Sequence, residues 1–89
     1  MQEWPDWWHW ELDLARHLFK RMAERDFTVV DVRAMLEDAT GWRPDHEPGR
    51  FVVESRHDDR PWEVVVEPDE PARILVVITA YPVDLVLRR

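Results

Sequence analysis

The sequence predicts an α+β domain in which two N-terminal helices pack on a three- to four-stranded antiparallel sheet. Residues 10–25 hold neither glycine nor proline, favour helix, and repeat Leu14, Leu18 and Met22 at a spacing of four. Beyond residue 50 the pattern changes to valine-rich runs separated by short turns of charge and proline. At 89 residues and 10.8 kDa the chain has room for one core, so residues 1–89 are expected to form a single domain behind a Trp-rich segment at 1–9.

Each element has a local cause. Pro5 cannot extend a helix backwards and Asp6 can cap exposed amides, so the first helix is expected to start near residue 7 and run to Arg25. Thr28 and Asp31 have the spacing of a capping box with Asp in place of Glu, opening a second helix from about Val29 to Asp38 whose apolar side is Val32, Met35 and Leu36. Gly41 is expected to end it in the left-handed conformation, and Pro44–Gly49 to be a polar connector. Strands are expected at Arg50–Arg56, Trp62–Glu67 and Ile74–Tyr81, with turns at His57–Arg60 and Pro68–Pro71 short enough for a meander. Ile74–Thr79 is apolar almost throughout and should lie centrally with both faces covered, while Val83–Leu87 offers a further short strand or a segment for a partner chain.

Composition excludes several classes of function. There is no cysteine, which removes disulfides, zinc-thiolate sites and thiol catalysis and suits a reducing cytosol. No apolar run spans a bilayer and the start has no signal-peptide pattern, so a cytoplasmic protein without membrane contact is expected. The net charge of −7 opposes grip on nucleic acid through bulk electrostatics, so an RNA partner requires a local basic patch. Two glycines cannot build a phosphate-cradling loop, and the single serine, Ser55, has no glycine elbow. His46 and His57 lie beside carboxylates but lack paired metal-ligand spacing, so neither a metal nor a cofactor is expected. A core this small leaves a thin stability margin, and a homodimer is a reasonable expectation.

His17, Arg21 and Arg25 recur every four residues and form one column on a helix. An imidazole can move a proton near neutral pH and a guanidinium can hold charge on a phosphorane oxygen, which together suit phosphodiester cleavage. From spacing alone the column also reads as Arg21 and Arg25 paired with Glu24, Asp13 or strand carboxylates, with His17 packed at the core edge. Thr79 and Tyr81, before Pro82, would set hydroxyls where a strand leaves the core, or are ordinary strand residues. Arg50 and Arg56 can add cations for substrate along a sheet edge, or stand solvated. Trp7 and Trp10 share a helical face with Leu14 and are assigned to the core, whereas Trp4 and Trp8 are the candidates for an apolar partner interface.

The order His17-x-x-x-Arg21-Met22-x-x-Arg25, then Val32 and Leu36, Gly49-Arg50-Phe51, Val64–Val66 and Val76–Pro82 resembles the domain-of-unknown-function family DUF4258 over roughly residues 12–83. That family is similar to small bacterial ribonuclease toxins of the barnase, EndoU, colicin and RelE fold type. The resemblance implies metal-independent RNA cleavage: His17 as general acid or base, Arg21 and Arg25 holding developing charge, Thr79 and Tyr81 orienting the phosphate, and an antitoxin-like protein as partner. The acidic balance supports a different class, a non-catalytic interaction module of antitoxin or immunity type, because an acidic protein complements a basic one. A third class is a small-molecule site between the first helix and the sheet.

Overall fold

The computed structural model describes residues 3–83. A 3-10 turn at Asp6–His9 leads into strand β1, Glu11–Leu14, followed by helices α1, Leu18–Arg25, and α2, Val29–Glu37. Strands β2, Gly41–Pro44, β3, Phe51–His57, β4, Arg60–Asp69, and β5, Ile74–Pro82, complete one five-stranded sheet in the order β1-β5-β4-β3-β2. The pairs from β2 to β5 are antiparallel, and β1 lies parallel to β5.

The sheet therefore differs from the expected one: it has five strands, it is mixed rather than antiparallel, and a strand precedes the helices. Glu11-Leu12-Asp13-Leu14 alternates polar and apolar, a period of two that fits a strand as well as a helix end. Pairing decides between them, since Leu12 opposite Leu75 and Leu14 opposite Val77 place both leucines on the helix-covered face. The spacing of four from Leu14 to Met22 thus crosses a strand-to-helix boundary instead of marking one helix.

Gly41 departs from expectation for a related reason. The second helix already closes at Asp38, and Gly41 is a buried residue of β2 paired with Glu54 rather than a left-handed cap. Pro44 is also paired, so the connector is shorter than expected and carries the left-handed glycine at Gly49, φ 86°. The capping box is present: Thr28 Oγ1 accepts from the Asp31 amide at 3.2 Å and Asp31 Oδ2 from the Thr28 amide at 2.8 Å. The β3–β4 hairpin closes through Asp58 and Asp59, both left-handed at φ 53° and 60°, the requirement of a type I′ turn.

Strand β4, not β5, occupies the centre of the sheet, and β5 does not bury both faces. Leu75, Val77, Ala80 and Pro82 are buried and the residues between them only partly so. The change from odd to even numbers marks a bulge: Val66 pairs with Val77 and Val65 with Thr79, leaving Ile78 unopposed. The core lies between this face and the helices, with Leu18, Val32, Val53, Val64, Val66 and Val77 fully buried. Ser55 Oγ donates to the Met35 carbonyl and ties β3 to α2. Residues 84–89, with most of the Val83–Leu87 segment, lie outside the described residues.

Candidate functional site at the α1–β5 edge

The bulge controls which groups reach the site. A strand's side chains alternate, so without the bulge, with Ile78 paired in register opposite Val65, the hydroxyls of Thr79 and Tyr81 would enter the core. With it, both share the helix-free face with Glu63, Val65, Val52, Glu54 and Arg43. Strand β1 pairs only as far as Leu14 opposite Val77, and the Ala15 amide adds one bond to the Val77 carbonyl at 2.9 Å. Past that point Arg25 fills the outer edge of β5, with Nη1 donating to the Ala80 carbonyl at 3.0 Å and to Thr79 Oγ1 at 3.4 Å. The end of the His17/Arg21/Arg25 column and the end of the Thr79/Tyr81 strand are thereby joined.

The other members of the column have separate surroundings. His17 is the exposed N-cap residue of α1 and its side chain makes no capping bond. Eight residues of rise separate its Cα from that of Arg25 by about 12 Å, although helical side chains lean toward the N-terminus and bring the arginine heads back toward His17. Arg21 Nη1 meets Glu24 Oε1 at 2.7 Å, and that hydrogen bond holds the Glu24 carboxyl below its ordinary value.

On the helix-free face Tyr81 belongs to a closed network. Its hydroxyl donates to Glu63 Oε1 at 2.8 Å, while Arg43 bridges Glu63 Oε2 at 3.1 Å and Glu54 Oε2 at 2.7 Å. Burial, reinforced by the Glu63 carboxylate, pushes the phenol up to about 12. Arg56 lines a shallow hollow beside Glu54 and Glu63 and donates to the Asp59 carbonyl at 2.9 Å. Arg50 is drawn instead to Glu67, at 3.0 Å. Glu63 and Arg43 were not singled out from sequence. Their only signal was alternation, which marks an outward side chain without naming its neighbour.

At the other end of the molecule the tryptophans close the sheet. Trp7 is buried against Trp42 and Phe51, with ring centroids 5.8 and 5.1 Å away. Trp4 is 37% exposed and lies 4.4 Å from the ring of Trp8, which is itself partly buried against the core. The proposed apolar patch thus exposes chiefly Trp4. Among the described residues, His46 meets Asp45, His57 approaches Asp31 and Asp58, and no three metal-binding side chains gather. No described helix is long and apolar enough to cross a membrane.

The arrangement places a guanidinium, a hydroxyl and a backbone carbonyl at one strand edge, with an imidazole at the head of the helix that supplies the guanidinium. The family described as "Domain of unknown function (DUF4258)" matches residues 14–82, a span that begins in β1 and ends on the last residue of β5. The chain belongs to the DUF4258 family. The DUF4258 span includes all of α1 and the whole helix-free network, and leaves out the 3-10 turn with its tryptophans. No curated protein and no solved structure matches the chain.

Proposed function

We propose that the protein is a small metal-independent endoribonuclease of toxin type, working where α1 meets the bulged end of β5. The observation that carries this is the contact of Arg25 with Thr79 and Ala80, which brings the helical and strand parts of the candidate constellation to one edge. In the reaction His17 takes the proton of a ribose 2′-hydroxyl, whose oxygen bonds to the adjacent phosphorus. The bond from phosphorus to the 5′ oxygen of the next nucleotide breaks, that oxygen takes a proton from solvent water while protonated His17 returns its own to solvent, and a 2′,3′-cyclic phosphate remains. Arg25, with Arg21 released from Glu24, holds the charge on the non-bridging oxygens, and Thr79 and Tyr81 orient the phosphate. Arg50 and Arg56 supply cations along the strand for the RNA backbone.

The test is incubation of the purified protein with RNA in the presence of a chelator, beside His17→Ala and Arg25→Ala proteins. Cleaved RNA with cyclic-phosphate ends from the wild type alone, and growth arrest on its expression, support the proposal. Intact RNA at micromolar protein with no partner present ends it.

A second function is favoured by the Arg43–Glu54–Glu63–Tyr81 network, which engages one proposed hydroxyl and sets two carboxylates where an RNA phosphate would approach. A non-catalytic interaction module of antitoxin or immunity type would use that acidic face on a basic protein partner. Loss of RNA cleavage in both variants separates the two functions, since neither residue is needed for an acidic docking face.

A further inference from the structure

A groove of about 280 Å³ opens between the 3-10 turn, β1 and α2, at the end of β5 opposite the Arg25 edge. The indoles of Trp8 and Trp10 line it beside His9, together with the apolar side chains of Leu12, Leu36 and Leu75. Both indoles are fixed by contacts outside the groove. Trp8 lies against Trp4 and Trp7, with ring centroids 4.4 and 5.9 Å away, and the Arg73 guanidinium lies 5.7 Å from the ring centre of Trp10. Rings held in this way require little ordering when a flat molecule enters.

The rim carries opposite charges that do not neutralise each other. Arg33 and Glu37 stand one helical turn apart on α2 and both line the groove, yet no ion pair joins them and neither has another described side-chain partner. Arg preceding Glu by four residues is the weaker orientation of such a pair on a helix, because each charge then opposes the macrodipole. The groove thus offers stacking surfaces, a forked donor and a two-oxygen acceptor. A volume just under the range of drug-sized pockets suits a single fused ring system.

From this combination we infer a binding site for a purine base, and for guanine over adenine. Guanine stacks on the indoles, presents O6 and N7 as acceptors to the Arg33 fork, and offers adjacent ring and amino N–H groups to the Glu37 carboxylate. Adenine replaces the O6 acceptor with an amino donor, which faces the guanidinium unfavourably. The site is separate from the Arg25 edge and stands whether or not the protein cleaves RNA.

Titration of the full chain with guanosine 5′-monophosphate, followed by calorimetry and by indole fluorescence, tests the assignment. Saturable binding is expected in the millimolar range or tighter. Adenosine, cytidine and uridine monophosphates should each bind about tenfold or more weakly, and Arg33→Ala and Glu37→Gln should each weaken the guanine ligand by roughly tenfold. Both positions are exposed, and unchanged melting of the variants confirms that they fold. Equal binding of all four nucleotides, displacement by inorganic phosphate alone, unchanged affinity in both variants, or no saturation at all overturns the assignment. RNA cleavage is read in a separate assay, so failure of that activity and failure of this site are distinguishable.

Discussion

Arg25 and Ala80 are 55 residues apart in sequence, and the guanidinium of the first donates at 3.0 Å to the backbone carbonyl of the second. The bond satisfies an acceptor at a strand edge that β1 does not reach. A part-buried hydrogen bond from a charged donor is worth about 1.5–3 kcal/mol, so Arg25→Ala should lose stability of that order in urea melts. Thr79→Val, which removes a longer bond, should cost less. An Arg25→Ala protein as stable as the wild type would refute the edge-sealing role.

Tyr81 is the chain's single tyrosine, so its ionisation can be followed by ultraviolet difference spectroscopy without ambiguity. The folded phenol titrates near 12, above its ordinary value of 10.0. Between those values the unfolded chain has released the proton and the native one retains it. Stability is therefore intact below about pH 10 and falls as pH rises toward 12. Glu63→Gln should move the phenol down, and Tyr81→Phe should flatten this part of the stability profile.

The Thr28–Asp31 box satisfies two donors at the start of α2. Thr28→Ala should cost about 0.5–2 kcal/mol, and Thr28→Ser much less. Chemical denaturation distinguishes the pair.

Two adjacent aspartates in left-handed conformation make the β3–β4 turn a place where stability can be gained. Asp59, at φ 60°, occupies the position where glycine is favoured in this turn type. Asp59→Gly should raise stability by about 0.5–1 kcal/mol, seen as a higher melting temperature.

Arg21 and Glu24 form an exposed pair one turn apart, and such pairs contribute little to folding. Arg21→Ala should be nearly silent in a melt. If the same protein loses RNA cleavage, the loss belongs to chemistry and not to folding.

Much of the fold was legible where local chemistry and tertiary packing agreed. The capping box, the β3–β4 turn and the valine runs each announce themselves within a few residues, whereas the turn expected at Pro68–Pro71 falls later, because Pro68 and Asp69 extend β4 opposite Leu75 and Ile74. The first strand does not, because Glu11–Leu14 satisfies two periodicities and only its distant partner β5 selects one. The same holds for Gly41, whose helix-terminating character was overridden by pairing with Glu54. The site was legible as residues and not as contacts. His17, Arg21 and Arg25 share a column by spacing and the Arg21–Glu24 pair follows from it, but Ala80 as the partner of Arg25 and Glu63 as the partner of Tyr81 emerge only when strands and helix are assembled. Ser55 shows the reverse: a serine with no catalytic setting proves to anchor a helix carbonyl.

Pairing of β1 with β5 brings Leu12 beside Leu75, so one edge of the sheet depends on chain that the ribosome delivers some sixty residues later. Helices and antiparallel hairpins can form from neighbours in sequence, whereas this contact must await loop closure across the whole domain. A nascent chain that stops before Ile74 leaves Glu11–Leu14 without a strand to join and Arg25 without the Ala80 carbonyl. The candidate site is thus created by the last of the described strands to emerge, and a product truncated before Ile74 would lack it.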